Sequence, residues 1–342
     1  MSLKNLSAKK KIHKYFEEKL SNKKIKNIYK KFENSLNIDQ KFLVAVSGGP
    51  DSLALAFLAK VYSLKYNIPS KFIIIDHGLR QGSKNEANEV KKILGKNNIS
   101  AEILTWKGVK PIKNIQSLAR KGRYDLLYKK CQKLKINNIL LGHHQDDLIE
   151  NFFIRMFRGS GLKGLISLEK KSNVLGKNLI RPLLDQKKKD LIFISKNVFN
   201  FFIEDPSNKE EKYQRTKIRT LISQFKRYGL DDQKILKMIK NLKHSNSVVE
   251  FYLKENLRKN VFSTVKKSEF ILNSEFFLQP YEIIFRSLSE LIRIVGKKYY
   301  SVRGKKLDVI IEKITKKSLL KLTIGGCIIK KVNQTVILTK EH

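Results

Sequence analysis

The hexapeptide Ser47-Gly48-Gly49-Pro50-Asp51-Ser52 has the residue types of a phosphate cradle. Two glycines let the backbone take positive φ and come close to a ligand, and the N–H groups opening a following helix favour an anion. No Lys-Ser or Lys-Thr closes a G-x-x-x-x-G frame, so this is not a P-loop. A second group of chemistry-bearing residues stands at Gly142-His143-His144-Gln145-Asp146-Asp147-Leu148-Ile149-Glu150. On a helix, the i, i+4 pair Asp146 and Glu150 and the i, i+3 pair Asp147 and Glu150 share a face, so their carboxylates can converge on a metal or an amine. Acidic residues that merely stabilise a helix N-terminus account for Asp146 and Asp147 equally well. His143 and His144, with no Cys or third His nearby, make a weak case as metal ligands. A third motif, Asp76-His77-Gly78-Leu79-Arg80, places polar groups at another strand end.

The elements that must position these groups follow from periodicity. Phe42 to Val46 reads as a buried strand and Leu53 to Leu64 as a buried helix, so the cradle lies between strand and helix. Further strands are expected at Phe72 to Asp76, Ala101 to Trp106 and Asn138 to Leu141. Helices are expected from a Ser83-x-x-Glu86 capping box to about Lys96, from Ile115 to Leu134 and from Asp146 to Phe157. This alternation predicts an α/β fold, a doubly wound parallel sheet whose ligands sit at the carboxyl ends of the strands. The three motifs follow the first, second and fourth strands and would line one crevice. Past Arg219 the pattern turns helical, at Asp231 to about Lys259, Pro280 to Val295 and Leu307 to Ile314, and a β-hairpin closes the chain. Its strands would be Cys327 to Lys331 and Thr335 to Thr339, joined at Asn333-Gln334. Three parts are expected: a basic helical extension 1–35, a catalytic domain 36–222 and a smaller, mainly helical domain 223–342.

A chain of 342 residues can bury two cores. With 41% hydrophobic and 30% charged residues and no apolar run of the roughly 18 residues that a span requires, no membrane segment is expected. Cys131 and Cys327 are far apart without a C-x-x-C, which predicts neither disulfides nor a zinc knuckle and points to the cytosol. Against 71 Lys and Arg stand 31 Asp and Glu, a balance of +40 that attracts polyanions. Codon bias toward lysine would raise Glu as well, so nucleic acid is the expected partner. The stretch Met1 to Ser35 has Ile12, Tyr15, Phe16 and Leu20 at helical spacing. It lacks an apolar h-region and any Arg and carries Glu17 and Glu18, so one or two amphipathic helices are expected there rather than a targeting peptide.

The cradle resembles the PP-loop of ATP-pyrophosphatase enzymes, and the chain as a whole resembles the tRNA(Ile)-lysidine synthetase family. The likeness is collinear over Ser47 to Ser52, Asp76 to Arg80, Ala119-Arg120-x-x-Arg123-Tyr124, Gly142 to Glu150, Arg158 to Leu165 and Arg181 to Leu184. It continues through Glu204-Asp205-x-Ser207-Asn208 and Arg215-Thr216-Lys217-Ile218-Arg219, then weakens to Tyr300-x-x-Arg303 and the Gly325-Gly326 turn. Thr216 stands where the family has Asn, and Asn151 where Thr is common. The resemblance implies adenylation of the wobble cytidine of a CAU-anticodon isoleucine tRNA, with ATP and Mg²⁺, followed by attack of free L-lysine. Asp51 would handle metal and pyrophosphate, and Asp146, Asp147 and Glu150 would orient lysine and move its proton. Ser47 to Ser52 with His77 and Arg80 would surround ATP. Arg120, Arg123 and Arg158 are candidates for phosphates of ATP or tRNA, and Arg219 for the tRNA backbone, because guanidinium offers a planar donor fork. A surface ion pair explains any one of these arginines as well. A homodimer is left open.

Three rival readings stand beside this. A tRNA thiolase also adenylates a base but usually uses paired cysteines, which are absent here. Amidating PP-loop enzymes act on small molecules and give no reason for +40. A noncatalytic RNA-binding protein would not need an intact cradle and acidic cluster.

Overall fold

The structure is a computed structural model that describes residues 13–78, 82–108, 115–203, 214–263, 269–298, 302, 304–316 and 321–341. Helix α1 covers 13–20, and α2 (Lys23–Ser35) follows, capped by Asn22, whose side chain accepts from the Lys24 and Ile25 N–H groups. The apolar stripe of Phe16, Ile25, Ile28, Tyr29 and Phe32 is buried in the same core as the first strand, β1 (Phe42–Val46). Burial of that stripe, rather than the modest propensity of so lysine-rich a sequence, holds the helices in place.

After β1 come α3 (Pro50–Lys65), β2 (Ser70–Asp76), α4 (Ser83–Lys96), β3 (Ala101–Thr105), α5 (Ile115–Lys133), β4 (Asn138–Leu140) and α6 (Gln145–Phe157). The short helix α7 (Leu162–Leu165), the hairpin β5 (Lys171–Val174) and β6 (Lys177–Ile180), α8 (Lys188–Phe199) and α9 (Gln214–Arg227) complete this part. The sheet order is β3-β2-β1-β4-β6-β5; all pairings are parallel except β5 with β6. The chain order reverses between β1 and β4, and the crevice outside their carboxyl ends is where such sheets bind ligands. Helix α3 is buried on nearly every side, with Ala54, Ala56 and Ala59 among its inaccessible residues, so small side chains let it press onto the sheet and α8.

The α/β reading of the sequence agrees with this sheet, but the capping box expected at Ser83 does not form. Gly82 is the N-cap at φ 90°, making no side-chain cap, and Ser83 is the first helical residue. The left-handed entry suits glycine and takes the serine hydroxyl past the position from which it could cap. The hairpin β5–β6 and helix α8 were not anticipated. Both strands are short and polar, and the hairpin turns at Leu175-Gly176 instead of an Asn-Gly signal.

A second compact unit begins at Lys237, close to the start of α10 (Asp232–Asn260). It holds β7 (Val261–Ser263), β8 (Glu269–Leu272), α11 (Tyr281–Val295), α12 (Gly304–Thr315), β9 (Lys321–Ile324), β10 (Cys327–Val332) and β11 (Thr335–Lys340). The expected hairpin is β10–β11, turning at Asn333 with φ 53°, and it forms the middle of a five-stranded antiparallel sheet, β7-β8-β11-β10-β9. Leu288, Leu291 and Ile292 of α11 and Leu307 and Ile311 of α12 share a core with Ile329 and Leu338 of that sheet. Pro280 caps α11 from just outside it, accepting from the Ile283 and Ile284 N–H groups.

At the β5–β6 turn Leu175 has φ 50° and is 69% exposed, so it pays for a left-handed backbone without burying its side chain. Leu175→Asn should stabilise the protein by about 1 kcal/mol and raise the apparent Tm of the first unit, which carries this hairpin, by about 2–4 °C in a thermal melt.

Candidate active site

The cradle leaves β1 and turns into α3 within a few residues. Gly48 has φ 88°, and a Cβ there would stand 2.6 Å from Val90 Cγ2, so both conformation and space call for glycine. Ser52 Oγ accepts from the N–H groups of Ser47 and Gly48, both at 3.1 Å, and donates to Gly49 O at 3.0 Å. The serine hydroxyl therefore shapes the loop. Two further bonds hold it from behind: Ile203 N–H to Gly48 O at 2.9 Å and Ser195 Oγ to Pro50 O at 2.7 Å. Pro50 is the first residue of α3 and Asp51 lies in its first turn, where an acidic side chain is favoured.

The loop after β4 packs directly on the cradle. A Cβ at Gly142 would lie 3.3 Å from the Ser52 backbone, so any larger residue would push the two strand ends apart. His144 then caps α6: its Nδ1 accepts from the Asp146 N–H at 3.2 Å, while Asp147 Oδ2 accepts from the His144 N–H at 3.0 Å. Capping fixes the proton of the neutral ring on Nε2. That atom stands 3.4 Å from Asp51 Oδ2 and 3.5 Å from Asp147 Oδ2, so one buried imidazole joins the cradle to the acidic helix. One turn on, buried Glu150 accepts from Arg219 of α9, Nε at 2.5 Å and Nη2 at 3.4 Å.

Ser47, Gly49, Asp51, Ser52, His77, Arg120 and Arg123 line one cavity with Tyr124, Gly142 and His143. Arg123 Nη2 lies 3.2 Å from His77 Nε2, and Arg120 sits over the Tyr124 ring at 5.3 Å. Gly48 and Pro50 belong to the same loop. Asp146, Asp147 and Glu150 are not among the residues lining the cavity: His144 lies between Asp51 and the Asp146 and Asp147 carboxylates, and Glu150 stands one turn further along α6 against Arg219. Arg158 lies instead at the C-terminal end of α6, and Arg219 meets Glu150. Arg80, the Glu204 to Asn208 motif and Arg303 fall outside the described residues. Asn151, where Thr is common, donates to Ser167 Oγ at 3.3 Å. A larger cavity of about 480 Å³ beneath α1, α2 and α3 encloses Glu33, paired with Lys65, and contains none of the motif residues.

Sequence reasoning missed the roles of both histidines, of Tyr124 and of Arg181. His144 works as a cap, a role in which Ser, Asp and Asn are the usual signals. Arg181 is buried, donates through Nη1 to Glu169 O at 2.8 Å and Ser172 Oγ at 3.1 Å, and lies near enough to His143 to affect its charge. Asp51 Oδ1, His143 Nδ1 and Arg181 Nε are buried without a hydrogen-bond partner, in keeping with a site that takes up polar groups. Cys131 and Cys327 are both buried, and burial pushes each thiol up to about 11, so neither is a ready thiolate.

The two histidines carry opposite electrostatics. Burial lowers the pKa of His144, but hydrogen bonding to Asp146 and Asp51 and the charges of Asp147 and Asp51 outweigh it, raising the ring to about 10. A second proton would sit on Nδ1, where it would displace the Asp146 N–H that caps α6, so the cap opposes the pull of the carboxylates on this ring. The same ring holds the Asp146 carboxyl below its usual range, against burial. For His143, burial pushes the pKa down to about 4; Asp147 opposes the fall, and Arg181, Arg120 and Arg215 add to it. Since the unfolded chain takes up this proton near its ordinary 6.5, the His143 contribution to stability is complete above that pH and is lost as pH falls toward 4. His143→Gln should therefore flatten the loss of urea stability between about pH 6.5 and pH 4 relative to wild type.

A family model described as a PP-loop domain matches residues 17–225. The tRNA(Ile)-lysidine synthase of Rickettsia bellii is 33% identical over 330 residues, covering 92% of this chain and 74% of that protein. The enzyme of the same name from the Wolbachia of Brugia malayi is 31% identical over 312 residues, covering 89% and 71%. Among solved structures, the U34-tRNA thiolase NcsA from Methanococcus maripaludis aligns with a TM-score of 0.56 at 16% identity, over 65% of this chain and 79% of that one, a likeness of fold. With the cradle, the His-His-x-Asp-Asp-x-x-Glu helix and these relatives in agreement, the chain belongs to the tRNA(Ile)-lysidine synthase family of PP-loop proteins.

Proposed function

We propose that this protein joins the ε-amine of free L-lysine to carbon 2 of the wobble cytidine in the CAU-anticodon isoleucine tRNA. The tRNA thereby passes from methionine to isoleucine identity. One observation carries the reading: a phosphate cradle and a cluster of carboxylates are tied into one site by His144. Activation of the 2-oxygen and attack of the amine on carbon 2 can then occur on the same base in one site. In the first step the cytidine 2-oxygen attacks the α-phosphate of ATP and pyrophosphate leaves. In the second the amine attacks carbon 2, the adenylated oxygen departs as AMP, and the amine proton passes to a base. Free lysine has a reference pKa of about 10.4, so the site must both orient the ammonium and remove its proton.

Ser47 to Ser52 receive the phosphates, with His77 and Arg80 flanking the nucleotide. Asp51 Oδ1, buried and unpartnered, suits one oxygen ligand of Mg²⁺, which typically uses one or two carboxylates together with substrate phosphates. Among the described residues no cluster of three or more His, Cys, Asp or Glu could form an all-protein cage. When bound, the ion would neutralise charge on the leaving pyrophosphate. Asp146, Asp147 and Glu150 orient lysine and take its proton. Arg120, Arg123 and Arg158 serve phosphates, and Arg219 serves the tRNA backbone while holding Glu150. We assign 36–222 to catalysis and 223–342 to the grip on tRNA, with a homodimer compatible and the cytoplasm as the compartment. No described helix is long and apolar enough to cross a membrane.

Incubation with ATP, Mg²⁺, the CAU-anticodon tRNA and radiolabelled L-lysine should label the tRNA. Asp51→Ala and Glu150→Ala should each lower the rate by at least about 100-fold. Wild type that releases pyrophosphate on the tRNA without incorporating lysine would keep the adenylation and overturn the choice of nucleophile.

A further inference from the structure

Helices α6 and α9 leave the site side by side and in the same direction. Glu150 meets Arg219, and further along both helices Phe153 stacks on Phe225 at a centroid distance of 5.8 Å and 20° between planes. Beyond that stack both helices end, and both end alike. At the end of α6, Ser160 N–H donates to Arg155 O and Gly159 N–H to Met156 O; at the end of α9, Leu230 N–H donates to Phe225 O and Gly229 N–H to Lys226 O. Gly159 and Gly229, at φ 64° and 86°, make the left-handed residue that such closures need. These matched turns hold large apolar side chains in water: Phe157 is 53% exposed, Met156 41% and Tyr228 89%.

Rings at fixed helix ends, rather than on a mobile loop, lose little entropy on binding a partner. The charge around them is one-sided. Residues 155–163 and 226–232 carry five cations, Arg155, Arg158, Lys163, Lys226 and Arg227, against Asp231 and Asp232. Lys226 pairs with Asp232 at 2.8 Å. This excess outweighs the partial negative charge of two helix C-termini and selects an anionic partner. Aromatic faces with guanidinium groups around them are the surface that unpaired nucleotides stack on. From Asp146 to Phe157, α6 rises about 16 Å, a span of at most about five stacked nucleotides.

We infer that Phe157 and Tyr228, at the paired C-terminal ends of α6 and α9, form a stacking platform for unpaired RNA nucleotides next to the one undergoing reaction. The basic residues around the rings take the phosphates. This rests on the reading that an RNA nucleotide enters the Asp51 and Asp147 cleft. The platform explains how a base can be held out of its stack: neighbouring nucleotides find replacement stacking on protein, which offsets the unstacking cost.

The test is the affinity of the full-length protein for an anticodon stem-loop with a CAU loop, measured by fluorescence anisotropy. Phe157→Ala and Tyr228→Ala should each weaken binding about tenfold with no change in thermal midpoint, since neither ring is in the core. Phe157→Tyr and Tyr228→Phe, which keep a flat face, should bind as wild type does. Unchanged affinity in both alanine variants would overturn the platform even where wild type incorporates lysine. Loss of affinity in Tyr228→Phe as large as in Tyr228→Ala would assign the effect to the hydroxyl and overturn stacking. Alanine variants that change the sedimentation coefficient without changing affinity would make the patch a contact between copies. Wild type that binds the stem-loop but incorporates no lysine would sink the proposed reaction and leave the platform standing.

Discussion

The His144 ring is the point on which the site depends. Three acidic side chains packed near one another in a half-buried crevice repel, and without a donor between them they would spread or protonate. One imidazole resolves this by giving its Nδ1 lone pair to the α6 backbone and turning Nε2 toward both Asp51 and Asp147. Its position is doubly determined, by the helix it caps and by the cradle it faces, and burial prevents water from taking its place. The close approach of Gly142 to the Ser52 backbone serves the same end, because the β1 and β4 loops must nearly touch for a single ring to span them.

From this the wider architecture follows. A parallel sheet whose order reverses between β1 and β4 puts the ends of adjacent strands side by side, and the helices that follow open toward a common crevice. Both α3 and α6 direct their N-termini there, so backbone N–H groups and acidic first turns face the same space. Helix α9 closes the far side of α6 through Glu150 and Phe153, and this pairing gives the acidic helix a second support.

Much of this could be read in the chain because the critical residues are consecutive. The cradle, the Gly142 to Glu150 run and the strand Phe42–Val46 each lie within a short window where apolar runs and spacing speak plainly. What could not be read depends on distant or atypical pairings. Arg219 and Glu150 are 69 residues apart, and nothing local marks them as partners. His144 caps a helix in a place where serine or aspartate would have been the signal. The β5–β6 hairpin hides behind Lys and Asn and an unfavourable Leu-Gly turn, and the four-residue strands β8 and β9 are held by the β10–β11 hairpin between them, with three-residue β7 added on β8. The apparent capping box at Ser83 failed because the preceding glycine sets the backbone's direction of entry.

The distribution of charge also bears on how a polyanion could be handled at an acidic site. A balance of +40 attracts RNA over long range but does not by itself orient it. Around the site, however, the sign changes: Arg120 and Arg123 line the cavity from α5 and Asp51 from α3, with Asp147 behind Asp51 across the His144 ring. The RNA backbone is drawn to the first wall, while the carboxylates of the second favour an ammonium and leave the ATP phosphates to the cradle N–H groups beside Asp51. An RNA that presents its base between the walls would thus keep its backbone on the arginine side, while a cationic nucleophile would approach from the opposite one. That polarity is what a reaction between a nucleotide and an amine requires.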